Sequence, residues 1–156
     1  MVTLAPMSPA EWTDWRAQSI RDYAADKVRI GAWPADGAVA LAEAEFGHIL
    51  PDGRATAGHD FRTARNEAGE SVGVLWFART DGPGPITAFI WDIAVHPAFR
   101  GRGYGRATLE ALEPIARALG CEAIRLHVFG DNDVARNLYR STGYIETDVS
   151  MVKRLG

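Results

Sequence analysis

Apolar positions in the first third of the chain recur at helical spacing. Trp12, Trp15, Ser19 and Tyr23 fall on one face, and Ser8-Pro9-Ala10-Glu11 ahead of them forms a capping box with proline at the first helical position. The spacing predicts a helix from there to about Ala25. A second helix is predicted over 36–49, with Val39, Ala42, Phe46 and Ile49 on one stripe and Leu50-Pro51-Asp52-Gly53 ending it. Residues 2–6 read as a short strand.

The period then changes to two. Residues 60–65 and 72–79 read as strands joined by the turn Asn66-Glu67-Ala68-Gly69-Glu70. After Asp81-Gly82-Pro83-Gly84-Pro85 comes a nearly unbroken apolar strand, 86–95. Such a strand is buried on both faces and belongs in the middle of its sheet. A helix fits 104–119, with Leu109, Leu112, Ala116 and Leu119 inward and Gly120 as its cap. Pro114 inside it should kink it or cost about 3 kcal/mol. A strand over 122–129, a helix over 133–142 capped by Gly143, and a last strand or bent pair of strands over 144–155 complete the order β-α-α-β-β-β-α-β-α-β. That order is α/β: one domain over 1–156, with a mixed central sheet of six or seven strands and helices on both faces.

Composition narrows the class. The 156 residues are 47% hydrophobic and 24% charged, which is globular. A folded monomer of this mass exposes about 7,700 Å². The net charge of −3 argues against general nucleic-acid binding. No apolar run is long enough for a membrane span, and no basic-then-apolar leader opens the chain, so a soluble, cytoplasmic protein is expected. Cys121 is the one cysteine, which excludes an internal disulfide framework and a thiolate-rich metal site; no metal is expected.

The segment Val95-His96-Pro97-Ala98-Phe99-Arg100-Gly101-Arg102-Gly103-Tyr104-Gly105-Arg106 joins the central strand to a helix. Alternating glycines allow several N–H groups to converge on one point, the helix start adds partial positive charge, and three arginines add full charges. This is a phosphate or pyrophosphate site. A dinucleotide G-x-G-x-x-G fails because Arg106 stands at the third glycine, and a Walker A loop fails for want of G-K-[ST].

Arg100-x-x-Gly103-x-Gly105 after an Ile-Ala-Val-His-Pro strand end instead resembles the coenzyme A loop of the GNAT superfamily, the acyl-CoA-dependent N-acyltransferases. A second segment agrees: Asn132-Asp133-Val134-Ala135-Arg136-Asn137-Leu138-Tyr139-Arg140-Ser141-Thr142-Gly143-Tyr144 is similar to that family's N-x-x-A-x-x-L-Y-x-x-x-G-[FY]. The motifs stand in the family's order at about its usual separation. Before residue 86 only the layout of elements matches.

The resemblance implies a mostly antiparallel sheet, acetyl-CoA as co-substrate, and transfer of an acetyl group to a primary amine by direct attack, without an acyl-enzyme. A non-catalytic acyl-CoA-binding or sensing domain is the alternative. It also implies that the backbone of Ile93, Ala94 and Val95 holds pantetheine, that Arg100, Gly101, Arg102, Gly103, Tyr104, Gly105 and Arg106 hold the pyrophosphate, and that Asn132 contacts coenzyme A. Tyr139, seven residues and two helical turns beyond Asn132, would protonate the departing thiolate. His127 stands where some relatives carry a base glutamate. It is either the general base or a packed strand histidine. Asp92, a charge inside an apolar strand, is a weaker second candidate. Cys121 is read as packing, and His96 as a turn residue. His48 and His59 lie on the expected substrate side, and Trp33 is the tryptophan best placed to line the acceptor site. The acceptor is an amine, small or peptide, left unidentified. A homodimer is left open.

Overall fold

A computed structural model describes all 156 residues. The elements are β1 (Thr3–Pro6), α1 (Pro9–Arg29), α2 (Ala38–Ile49), β2 (His59–Arg65), β3 (Ser71–Thr80), β4 (Thr87–Val95), α3 (Tyr104–Ala118), β5 (Ala123–Leu126) and α4 (Asp133–Ser141), with single 3-10 turns at Gly53–Ala55 and Pro97–Phe99. The sheet runs β1-β2-β3-β4-β5. Its first three pairings are antiparallel and β4–β5 is parallel. No helix is long and apolar enough to cross a membrane.

The sheet has five strands, not six or seven, because the segment after Gly143 pairs with nothing in the chain. β5 is also shorter than expected. It stops at Leu126, where β4 ceases to run beside it. α1 outruns its expected end at Ala25 and continues to Arg29, since no breaker intervenes before Gly31, at φ +76°. α3 continues through Pro114. The ring sits on the exposed side, so the carbonyl it leaves unpaired, that of Glu110, faces solvent.

Two cores flank the sheet. On one face Trp15, Ile20 and Ala24 of α1 and Ala42 and Phe46 of α2 pack on Phe61 and Trp76. On the other, Leu109, Leu112 and Ala116 of α3 pack on Leu75, Phe77, Ala88 and Ile90. α1 starts with both halves of its capping box: Ser8 Oγ accepts from the Glu11 N–H at 3.1 Å, and Glu11 Oε2 accepts from the Ser8 N–H at 2.8 Å.

One irregularity in β4 sets up the site. Trp76 of β3 faces Asp92, but the next residue, Phe77, faces Ile90, so Trp91 is an extra residue, a β-bulge. The bulge turns two successive side chains to the α1 face. Trp91 stacks on Trp76 with centroids 5.2 Å apart and planes at 16°, and Asp92 meets α1. Close behind runs Gly73 of β3. A Cβ there would lie 2.4 Å from the Ala94 carbonyl oxygen, so only glycine allows this approach of the two strands.

Candidate active site

β4 and β5 pair only over Thr87–Ile90 and Ala123–Leu126. Past the bulge their pairing ends and a cleft of about 170 Å³ opens, lined by Trp91, Asp92 and Ile93 from β4, His127 and Phe129 beyond β5, Asn132 at the cap of α4, and Ala135 and Tyr139 from α4. Part of the backbone on the β4 wall is unpaired within the sheet. The His96 N–H donates to the Val72 carbonyl of β3 at 2.8 Å, so by alternation Ala94 also turns its backbone to β3, while Ile93 and Val95 turn theirs into the cleft. Of the three backbone candidates, two therefore face the opening. The Val95 carbonyl accepts from Arg100 Nε at 3.1 Å.

The glycine-rich loop follows β4 and leads into α3. Gly101 (φ +74°) and Gly103 (φ +81°) both require the left-handed region. Gly103 is the N-cap of α3, and no side chain caps that helix. The first intrahelical bond comes from the Ala107 N–H to the Gly103 carbonyl. The N–H groups of Tyr104, Gly105 and Arg106 thus point outward without partners, beside the positive end of the helix dipole. Gly105 has a packing reason instead: a Cβ there would lie 3.0 Å from Leu138 Cδ2, so its absence lets α3 and α4 close together. The arginines differ. Arg102 lies over the Phe99 ring, 5.7 Å from its centroid. Arg106 donates to the Ser141 carbonyl and hydroxyl and ties α3 to α4.

Tyr139 and Asp92 both line the cleft, near enough for the charge of Asp92 to act on the phenol. Asp92 Oδ2 accepts from Trp15 Nε1 at 2.9 Å and Ser19 Oγ at 3.2 Å, two residues one turn apart on α1. Oδ1 takes neither bond. Burial pushes the Asp92 carboxyl above the usual aspartate range against the pull of those donors and the Ile93 N–H, with Asp22 adding to the rise. Burial, then the charge of Asp92, also pushes the Tyr139 phenol up. The Tyr139 hydroxyl has no hydrogen-bond partner in the protein. Asn132 caps α4, its side chain accepting from the Ala135 N–H at 3.2 Å.

His127 lines the same cleft from the β5 side, exposed and packed edge-on against Phe129 at 5.5 Å. It lies past the end of β5, not inside a strand. His59 is spoken for: its Nδ1 accepts from Trp76 Nε1 at 2.9 Å, and burial lowers its pKa. His48 is exposed on α2. His96 enters the loop with Nε2 3.1 Å from Ser71 Oγ. Trp33 packs edge-on against Tyr23 at 5.5 Å, beneath Lys27, and does not line the cleft. The tryptophan that does is Trp91, 43% exposed. Its role was hidden because a strand apolar on both faces shows no break in alternation where a bulge falls.

Residues 12–144 match the model of the acetyltransferase (GNAT) family. The chain is 35% identical over 154 residues to YycN of Bacillus subtilis (strain 168), described as an uncharacterized N-acetyltransferase, covering 99% of each. The crystal structure of YycN superposes with a TM-score of 0.94 over 99% of both chains, which includes the C-terminal segment. YdgE of the same organism, also described as an uncharacterized N-acetyltransferase, is 33% identical over 153 residues, covering 98% of each chain. A structure of AAC(6')-Iy with a CoA-linked bisubstrate analogue shares the fold at TM-score 0.60 and 19% identity, covering 100% of this chain and 99% of that one.

Proposed function

The chain belongs to the GNAT acetyltransferase family, and we propose that it transfers the acetyl group of acetyl-CoA to a primary amine within the β4–β5 cleft. The observation that carries this reading is a pair that lines the cleft: an unpartnered Tyr139 phenol and a half-buried Asp92 carboxylate whose Oδ1 accepts from neither Trp15 nor Ser19. A binding or sensing domain needs neither.

The pyrophosphate is placed at the unpartnered N–H groups of the α3 start, with Arg100 and Arg102 alongside. Pantetheine lies along the free edge of β4, its amides pairing with the backbone of Ile93 and Val95 as an added strand would. That sets the thioester beside the bulge. A backbone N–H of this stretch steadies the oxygen as the carbonyl becomes tetrahedral.

Proton movements follow from the electrostatics. The amine nitrogen bonds the carbonyl carbon and gives its proton to Asp92 Oδ1. The C–S bond breaks, and the thiolate takes the Tyr139 proton. Solvent then carries the proton from Asp92 to the phenolate, leaving amide and free thiol. The two groups are coupled. While Asp92 is ionised its charge makes Tyr139 a weaker acid, and when Asp92 takes the amine's proton that hindrance disappears at the step where the acid is needed. His127, at the rim, is the second candidate for the base.

Release of thiol from acetyl-CoA with a panel of amines tests the reading. The expected result is acceptor-dependent release, with acetyl-CoA and CoA binding at micromolar affinity and NAD and ATP not binding. Binding without turnover on any amine would leave the sensing role, and tight NAD binding without CoA binding would end the assignment.

Gly103→Asp tests the loop. It is expected to fold, because no atom lies within 4 Å of the added Cβ. The left-handed φ costs about 1–2 kcal/mol, and the carboxylate faces the phosphate position. Affinity for CoA should fall at least tenfold by calorimetry, with Gly103→Ala weakened less. Unchanged affinity in the folded variant would put the phosphates elsewhere.

A further inference from the structure

A second and larger cavity takes no part in the chemistry described so far. It measures about 290 Å³ and opens where β1 ends and β2 begins. Met7 and Phe61, both from the core that α1 covers, line it, and Arg54, His59 and Asp60 supply charged and polar side chains. Asp60 is already taken: its two oxygens accept from Nε and Nη2 of Arg62 at 2.5 and 2.8 Å. Arg54 has no carboxylate partner. Its Nη1 donates to the Met7 carbonyl at 2.9 Å, which anchors the guanidinium and leaves Nε and Nη2 unspent. An indole nitrogen can only donate, so the bond from Trp76 Nε1 makes His59 Nδ1 the acceptor and puts the ring's proton on Nε2. Burial lowers the pKa of His59 and so favours that neutral form. The cavity thus offers one uncompensated positive charge and one neutral donor, while its own carboxylate is occupied.

Two rings join the cavity to the cleft. His59 lines the first and Trp91 the second, and their centroids lie 6.2 Å apart. Trp91 rests on Trp76 and is 43% exposed, so part of its surface stands open between the two. The sheet sets the span. Asp92 faces Trp76, Trp76 faces Phe61, and His59 stands two residues from Phe61 along β2. At about 4.8 Å per strand spacing and about 3.3 Å per residue, Asp92 and His59 are roughly 12 Å apart.

Given acetyl transfer within the cleft as proposed above, we infer that this cavity is the far end of the acceptor site, where Arg54 and His59 hold a carboxylate of the acceptor. The body of the acceptor crosses Trp91. Its carboxylate accepts from the Arg54 guanidinium, a charge-assisted bond, and from the His59 Nε2–H. A second ammonium at that end would meet the charge of Arg54 instead. With a hydrogen bond at each end, an acceptor about 10 Å long fits the span. Three extended peptide residues have that reach, and so does a straight chain such as ω-aminooctanoate.

Thiol release with each acid against its own amide tests this. kcat/KM should be at least about tenfold higher for ω-aminooctanoate than for ω-aminooctanamide, or for trialanine than for trialanine amide. A gain in one pair alone tells whether the body is a hydrocarbon chain or a peptide. Aminobutanoate is too short to span, and should gain nothing over its amide. In Arg54→Met the gain of the long acid should vanish, with the amide turned over within about threefold of the parent rate. Arg54→Lys should recover part of the gain, since the charge remains and the fork is lost. If no amine is turned over, acetyl transfer itself fails and this site falls with it. If the amides are turned over and neither acid gains, only the carboxylate site is overturned. A gain that survives Arg54→Met overturns it too, as does a loss in that variant that strikes acid and amide alike.

Discussion

Tyr139→Phe lowers kcat by about tenfold to a hundredfold while the affinity for acetyl-CoA stays within a few-fold. One positioned acid typically contributes about 10²–10⁴, and a water taking the hydroxyl's place recovers part of it. In the proposed reaction the phenol serves the leaving sulfur and not the cofactor's grip on β4 and α3, so ground-state binding has little to lose. Folding has little to lose either: the hydroxyl bonds to no protein group, so phenylalanine strands no buried donor or acceptor. The thermal midpoint should therefore hold or rise slightly. Because burial and the charge of Asp92 push the phenol up, the unaltered enzyme should keep its rate well into alkaline pH. Single-turnover thiol release beside a CoA titration separates the two effects. Equal turnover in the variant would return Tyr139 to a packing role.

The parts of the site legible in the sequence are those made by local chemistry. Gly101 and Gly103 could be read because positive φ demands glycine, and Asn132 and Tyr139 because two helical turns bring them to one side of α4. The stripe holding Trp15 and Ser19 was visible too, and both side chains converge on one oxygen of Asp92. What stayed hidden depends on non-local pairing. Residues 122–129 and 144–155 carry strand patterning, but a strand exists only where a neighbour takes its hydrogen bonds, and the pattern does not say whether one is present. β5 ends early because β4 bends away at Trp91, and the tail pairs with nothing in its own chain. The bulge itself left no mark, since 86–95 is apolar on both faces. Its consequence is large: it brings Asp92 to the α1 face, at the edge of the cleft that Tyr139 also lines.

Asp92→Asn, by the same logic, loses activity and keeps its fold. The amide oxygen can still accept from Trp15 and Ser19, while the group facing the amine changes from an acceptor of protons into an N–H donor. A fall in kcat/KM of about a hundredfold or more is expected from loss of a positioned base, together with loss of the acidic limb of the pH profile. In the unaltered enzyme that limb should lie above the usual aspartate range, because burial raises the carboxyl's pKa. Stability moves the other way. A folded state that holds its proton more tightly than the unfolded chain loses stability as pH rises from the ordinary aspartate pKa through the raised one. Asparagine escapes that loss, so the variant should equal or exceed the parent in thermal midpoint at neutral pH and lose that advantage in acid. His127→Ala is the discriminating companion. If Asp92 takes the proton, the alanine variant keeps the pH limb and most of its rate, as suits an exposed group at the rim. If the limb vanishes in His127→Ala and survives in Asp92→Asn, the histidine is the base and the carboxylate serves only to hold α1 against β4.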